Sequence, residues 1–135
     1  ACMIVLDASL LIAYLSTSDP RHRRSVTILA EHAAEPLAIP ALTLAETLVG
    51  PARAGRASEV LEALSAMELT VIQDVEPSTL AALRASSGLR MPDAVVLHTA
   101  LRHTAALATF DERLAAAAVA SGVTVHGTNT ALLAP

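Results

Sequence analysis

The stretch Met3-Ile-Val-Leu-Asp7-Ala-Ser9, near the start of the sequence, decides the fold class. Four apolar residues precede Asp7, too few for a helix, and such a run is typical of a strand buried on both faces of a parallel sheet. Comparable short runs recur at residues 37–39, 69–72, 107–109 and 123–126. Helix-like segments separate them, which predicts an α/β domain built on a central, mostly parallel sheet of five strands.

Helix boundaries follow from capping residues and from proline and glycine. We expect helices at residues 9–15, 22–34, 41–49, 56–66, 78–85, 92–104 and 111–120. Gly50 and Pro51 are expected to end or kink the third helix, and Gly122 is expected to follow the last one as its C′ residue. Because no repeat or linker interrupts this pattern, residues 1–135 are interpreted as one domain.

Composition excludes several classes of protein. Of the 135 residues, 53% are hydrophobic and 16% are charged, a balance too apolar for a disordered chain. The one cysteine, Cys2, rules out a disulfide framework and a cysteine-based zinc site. All nine basic residues are arginine, which excludes P-loop nucleotide binding and Schiff-base chemistry. Ala1 and Cys2 precede a natural-looking start at Met3, and neither is given a function.

We expect neither a signal peptide nor a membrane-spanning segment in this sequence. An acidic residue interrupts every apolar segment before it reaches the roughly 18 to 20 residues of a membrane span. The apolar start of the chain lacks the basic region of a signal peptide and contains Asp7. We therefore expect a soluble, cytoplasmic protein.

Four carboxylates occupy segments that are otherwise apolar: Asp7, Glu46, Asp93 and Asp111. Burying an unpaired carboxylate is costly, so such residues call for an explanation. Asp7 and Asp111 follow predicted strands, and ligands of an open parallel sheet gather at the carboxyl ends of strands, where strand order reverses. Carboxylates gathered there repel one another unless a cation neutralises them, and an all-oxygen site favours Mg²⁺ or Mn²⁺. The pattern predicts a metal site for hydrolysis or transfer at a phosphate.

Simpler roles stay open for the same acids. Asp7, Asp93 and Asp111 each stand where a helix begins, and a capping role alone would explain each of them. Glu46 resists that explanation, because it lies in the middle of a helix where no cap is needed.

Two hydroxyls accompany the acids in a nearly symmetric arrangement. Ser9 stands two residues after Asp7, and Thr109 stands two residues before Asp111. Such hydroxyls orient a carboxylate or a metal-bound water, and a capping or turn role explains them equally well. Whether Glu112 joins the acids is left open.

These residues, taken in order, resemble the PIN-domain ribonucleases, and among them the VapC toxins of bacterial toxin–antitoxin pairs. The resemblance spans nearly the whole chain and rests on four stretches: Met3-Ile-Val-Leu-Asp7-Ala-Ser9, Pro40-Ala-Leu-Thr-Leu-Ala-Glu46, Arg90-Met-Pro-Asp93-Ala and Ala108-Thr109-Phe-Asp111. It implies a three-layer α/β/α fold. Carried over by position, it also implies that the four acids are catalytic and bind Mg²⁺ or Mn²⁺, with two hydroxyls in support: Asp7, Glu46, Asp93 and Asp111, with Ser9 and Thr109.

The resemblance further implies a substrate and partners. It implies a metal-dependent endoribonuclease that cuts RNA, a cognate antitoxin that restrains it, and a homodimer. Arg53 and Arg90 then become candidate RNA-binding residues, and backbone contacts should dominate because Tyr14 and Phe110 are the only aromatic side chains. With the four acids set aside, nine acidic residues remain against nine arginines, so the net charge of −4 does not argue against an RNA partner.

Two other functions fit parts of the pattern. An Mg²⁺-dependent phosphotransfer protein or phosphatase would use a similar acidic pocket, but such proteins normally place a lysine beside the phosphoryl group, and this sequence has none. A catalytically inert α/β binding module would use the acids only as caps. The second alternative predicts that the chain binds no divalent metal.

Overall fold

The computed structural model describes residues 2–128, in which short apolar strands are separated by one or two helices. The elements in chain order are β1 (Ile4–Leu6), α1 (Ala8–Leu15), α2 (His22–Glu31), β2 (Leu37–Pro40), α3 (Ala41–Arg53), α4 (Ala57–Ala66), β3 (Thr70–Ile72), α5 (Pro77–Ser87), α6 (Met91–Arg102), β4 (Ala106–Ala108), α7 (Glu112–Ala120) and β5 (Val125–His126). None of the helices in this range has the length and apolarity needed to cross a membrane.

The five strands form one sheet in the order β3-β2-β1-β4-β5. In its centre, Ile4 of β1 is paired with Leu37 of β2, and Val5 of β1 with Leu107 of β4. All four pairings between these strands are parallel, which confirms the predicted α/β fold with a five-stranded sheet. The chain builds outward from β1 in one direction and then in the other, so strand order reverses between β1 and β4.

Helices cover both faces of the sheet, because successive side chains of β1 point to opposite sides. Ile4 and Leu6 pack with apolar side chains of α1, α2 and α4. Val5, between them, packs with side chains of α5, α6 and α7 on the other face. All three residues of β1 are buried. The expected three-layer α/β/α architecture is therefore confirmed, with β1 at its centre.

The third helix differs most from its predicted boundaries. α3 continues through Gly50 and Pro51 to Arg53, where the sequence predicted an end or a kink. A proline in a helix removes one amide donor, and in the last turn that loss affects only one hydrogen bond. The other helix ends lie within a few residues of their predicted positions, and Gly122, with a φ of +83°, follows α7 as expected.

Candidate active site

The carboxyl ends of β1 and β4 lie side by side at the point where strand order reverses. The amide of Asp7 donates to the carbonyl of Ala108 at 3.0 Å, which ties the residue after β1 to the last residue of β4. Asp7 is 6% exposed and Thr109 is fully buried. The fold therefore brings together two of the predicted site residues, although they are 102 positions apart in the sequence.

Both predicted hydroxyls hold the carboxylate of Asp7. Thr109 Oγ1 donates to Oδ2 of Asp7 at 2.7 Å, and Ser9 Oγ donates to the same oxygen at 2.9 Å. Each hydroxyl also accepts a backbone amide, from Asp111 to Thr109 at 2.9 Å and from Phe110 to Ser9 at 3.0 Å. Because an ionised carboxylate only accepts hydrogen bonds, each hydroxyl donates its proton to Asp7 while its lone pair accepts the amide, and the carboxylate is held in one orientation.

Glu46 and Asp93 approach this centre from two helices. Glu46 lies in α3, and Asp93 lies in the first turn of α6 with 18% of its side chain exposed. Glu46 is an exposed residue, yet partial desolvation raises its pKa, and the negative charges of Asp7 and Asp93 raise it further. The pKa of Asp93 is likewise raised by burial and then by the charges of Asp111 and Asp7. The four predicted acids therefore lie close enough to repel one another electrostatically.

The capping alternative applies to one of the three helix-start acids. Asp111 is the N-cap of α7, and its Oδ1 accepts the amide of Leu114 at 3.0 Å. Asp7 occupies the N-cap position of α1, but its side chain makes no capping bond. Asp93 is in the first turn of α6 rather than at its cap. Glu112, left open by the sequence, is an exposed residue in the first turn of α7.

Two arginines line the side of the centre that faces α6 and α7. A hollow of about 250 Å³ is bounded by Leu89, Arg90, Asp93, Asp111 and Arg113. Arg90 lies 3.9 Å from the carboxylate of Asp93, and its charge lowers the pKa of both Glu46 and Asp93. Arg113 also lowers the pKa of Asp93. The predicted Arg90 thus lies at the site.

Sequence reasoning missed Arg113 and grouped Arg53 with the acids. Arg113 carries a positive charge in the first turn of α7, where the helix dipole disfavours a cation. This unfavourable position is the feature of the sequence that could have indicated a functional role for Arg113. Arg53 is exposed in the last turn of α3, two turns beyond Glu46, and does not line the hollow that contains Arg90 and Arg113.

The carboxylate oxygens of the four acids suit a hard cation that binds only a few protein ligands directly. Both hydroxyls bind Oδ2 of Asp7, and no hydrogen bond within residues 2–128 reaches its Oδ1. Within the same range, no three His, Cys, Asp or Glu side chains converge closely enough to enclose a metal. Mg²⁺ commonly takes only one or two carboxylates and keeps several waters, so an open group of acids fits it, whereas a closed zinc cage is absent from these residues.

The arrangement is chemically suited to phosphate esters. Carboxylate oxygens could hold Mg²⁺ or Mn²⁺, which binds phosphate oxygens in turn. Arg90 and Arg113, at the rim, present guanidinium groups that match the geometry of a phosphate. No serine, cysteine or lysine nucleophile is required, and Ser9 is already engaged as a hydrogen-bond donor to Asp7.

Several solved structures are similar to this chain, and three of them are compared with it. A toxin–antitoxin complex from Klebsiella pneumoniae is 28% identical, with a TM-score of 0.68, and the match covers 80% of this chain and 86% of that one. FitAcB from Neisseria gonorrhoeae is 22% identical, with a TM-score of 0.68 and coverages of 91% and 96%. VapBC2 from Rickettsia felis, bound to a DNA fragment from its promoter, is 14% identical, with a TM-score of 0.69 and coverages of 94% and 99%. The last two, at such low identity, show the fold alone.

The sequence itself identifies the family. No curated protein matches the chain. Residues 4–120, however, match the PIN domain, a stretch that begins with β1 and ends with α7 and includes all four acids. This match covers most of the chain and agrees with the resemblance drawn from the four motifs. The chain therefore belongs to the PIN domain family.

Proposed function

We propose that this protein is an Mg²⁺- or Mn²⁺-dependent endoribonuclease, and that it acts in the cytoplasm as a toxin restrained by a cognate antitoxin. The observation that carries the proposal is the group of four acids, Asp7, Glu46, Asp93 and Asp111, at the reversal point of the sheet. Partial desolvation and mutual repulsion raise the pKa of Glu46 and Asp93, and a divalent cation would remove that repulsion.

Each residue has a distinct task in the proposed reaction. Asp7, fixed by Ser9 and Thr109, would offer its Oδ1 to the metal, and Glu46, Asp93 and Asp111 would be the other residues that hold it. A divalent ion held there would make a water more acidic and offset negative charge at the scissile phosphate. Arg90 binds a neighbouring phosphate oxygen at the rim.

Asp111 links the reaction centre to the fold. Its Oδ1 caps α7 while its amide donates to Thr109, so its carboxylate is fixed at the edge of the hollow that also contains Asp93. Ligand carboxylates that are held by hydrogen bonds lose little freedom when a metal binds. We assign Asp111 to the metal site on this basis.

The partner proposal has both structural and comparative support. The similar structure from Klebsiella pneumoniae is a toxin–antitoxin complex. In this chain, a mainly apolar hollow lies beside Glu46, lined by Ile12, Leu15, Ser16, Glu46, Thr47, Gly50 and Pro51. Ile12 is 45% exposed there, on a helix whose neighbouring Leu10 and Leu11 are fully buried. An antitoxin helix seated in this hollow would cover Glu46, one of the four acids, and a homodimer of the toxin is part of the same proposal.

The decisive assay follows the cleavage of labelled RNA by the purified protein. We expect cleavage with Mg²⁺ or Mn²⁺, loss of cleavage with EDTA, and a loss of about a thousandfold or more in Asp93→Asn, because metal catalysis contributes several kcal/mol to the rate. Asp74→Asn is the matched control, since Asp74 is an exposed aspartate that pairs with Arg102 and His103 and does not line the hollow at Asp93.

Two results would count against the proposal. Strong cleavage by Asp93→Asn would refute the assignment of the acids. A wild-type protein that neither cleaves RNA nor binds Mn²⁺ would instead support the inert binding module.

A further inference from the structure

Three arginines at the start of α2 lie outside the site described so far: Arg21, Arg23 and Arg24. The guanidinium carbons of Arg21 and Arg24 lie 5.1 and 5.4 Å from the centroid of the Phe110 ring. Arg24 also donates to the carbonyl oxygen of Gly127, which follows β5. Two cations therefore share one aromatic ring, and one of them is tied to the end of the neighbouring strand.

This pair of arginines adjoins the acidic centre. Phe110 lies between Thr109 and Asp111 in sequence, and its amide donates to Ser9. Its ring packs in the apolar cluster formed with α1 and α2, on one face of the sheet. Leu89, beside Arg90 and Arg113 in the hollow, belongs to the cluster on the opposite face. The acids are thus flanked by arginines on both faces of the sheet.

Stability of α2 does not explain the positions of these arginines. Cations in the first turn oppose the helix dipole, and that turn contains no acidic residue to offset them. Arg21 forms an ion pair with Asp19 at 3.6 Å, but the Arg21 side chain stays 46% exposed. For Arg24, the described part of the chain offers no carboxylate within 4.0 Å. Two guanidinium groups held beside one ring repel each other, and an anion between them would relieve that repulsion.

We propose that Arg21 and Arg24 bind phosphates of the RNA strand on the α1–α2 face of the scissile position, while Arg90 and Arg113 bind the strand on the opposite face. The inference rests on the proposed ribonuclease function and adds the path of the substrate across the site. Contacts to successive phosphates carry no sequence information and position the strand. The cation–π contacts with Phe110 hold both guanidinium groups in place before RNA binds.

The test measures how RNA binding depends on salt. All proteins carry Asp93→Asn, so that RNA is not cut, and each is titrated against a fluorescent single-stranded RNA of about 20 nucleotides at several salt concentrations. Each phosphate contact contributes about 0.7 to the slope of log K against log salt for single strands. Arg21→Gln/Arg24→Gln should therefore lower the slope by about 1.4.

Two further variants separate charge from structure. Arg84→Gln/Arg102→Gln removes the same number of charges from exposed positions of α5 and α6 and should leave the slope unchanged. Arg21→Lys/Arg24→Lys keeps both charges and should restore most of the slope. If the double glutamine variant is unstable, Arg21→Gln alone, which leaves the bond from Arg24 to Gly127, should lower the slope by about 0.7.

The outcomes are distinct for the two proposals. A slope in the Arg21/Arg24 glutamine variant equal to that of the Arg84/Arg102 control overturns the proposed RNA path and leaves the ribonuclease proposal standing. Absence of metal-dependent cleavage by the protein with native Asp93 overturns the ribonuclease proposal, whatever the slopes are. A reduced slope, together with metal-dependent cleavage by the protein with native Asp93, supports both the RNA path and the ribonuclease function.

Discussion

The two ends of the parallel sheet are both hollowed, and they differ sharply in chemistry. At the carboxyl end, a hollow of about 250 Å³ contains two carboxylates and two guanidinium groups. At the amino end, a hollow of about 320 Å³ is lined by Cys2, Ala100, Leu101, Thr104, Ala105, Ala106, Gly122, Val123 and Thr124. The larger hollow has no carboxylate or guanidinium. The charged side chains, rather than the volume of the hollow, therefore distinguish the carboxyl end as the candidate site.

The difference follows from the direction of the strands. After β1 and β4 the chain turns directly into the N-termini of α1 and α7, so amides and helix-start side chains meet at the carboxyl end. Asp7, Ser9, Thr109 and Asp111 are all in these two turns. At the amino end the chain arrives from helix C-termini, and the turns that line the hollow there, at Thr104 and Gly122, contribute no carboxylate to it.

The largest difference between the two ends of the sheet is expected when one glycine at each end is replaced by alanine. Gly127 has a φ of +110°, and a Cβ built on it would clash with the carbonyl oxygen of Thr109. Gly122 has a φ of +83° with open space around it. Gly127→Ala should lower the free energy of unfolding by about 2 to 5 kcal/mol, because strain and a backbone clash add together. Gly122→Ala should lower it by only about 1 to 2 kcal/mol, from strain alone.

Urea denaturation of both glycine variants measures the two free energies of unfolding. The Gly127 variant should also lose cleavage activity, because the displaced Thr109 no longer holds Asp7. Equal destabilisation by the two substitutions would show that the close approach of β5 to the end of β4 is not a constraint on the fold.

A smaller effect is expected from one hydroxyl at each end. Thr109→Val keeps the shape of the side chain and removes the 2.7 Å hydrogen bond to Asp7, and it should weaken Mn²⁺ binding by about 10- to 100-fold. Thr124→Val, at the exposed lining of the amino-end hollow, should leave binding unchanged. Thr109→Ser, which keeps the donor, should recover most of the affinity. Calorimetric titration of each variant with Mn²⁺ decides the point, and unaltered affinity in Thr109→Val would show that the hydroxyl does not position the carboxylate.

Much of the carboxyl end could be predicted because its signals are local. A short apolar run followed by Asp7 and Ser9 specifies both a buried strand and the residues at its end. The same holds for the run that leads to Thr109 and Asp111. Glu46 stood out because a carboxylate in the middle of an apolar helix has no local explanation.

Arg24 and Arg53 could not be placed in this way, although Arg90 could. Arg24 meets Phe110 and Gly127 across 86 and 103 positions of sequence, so its neighbours depend on how α2 packs against the end of the sheet. Arg53 and Glu46 share one helix, but Arg53 is exposed at its end and does not line the hollow at Asp93. The continuation of α3 past Pro51 could not be predicted either. Proline normally disfavours a helix, and the sequence alone does not show that α3 tolerates one lost hydrogen bond near its end.

We propose that the acids at the carboxyl end form a binding site for a divalent cation. Calorimetric titration of the metal-free protein with Mn²⁺ at pH 7 tests it directly, with Asp7→Asn as the variant and Thr124→Val as the control. We predict binding by the wild type and the control, and affinity reduced by about tenfold or more in Asp7→Asn. Equal affinity in wild type and Asp7→Asn, or no binding heat from the wild type, would contradict the claim.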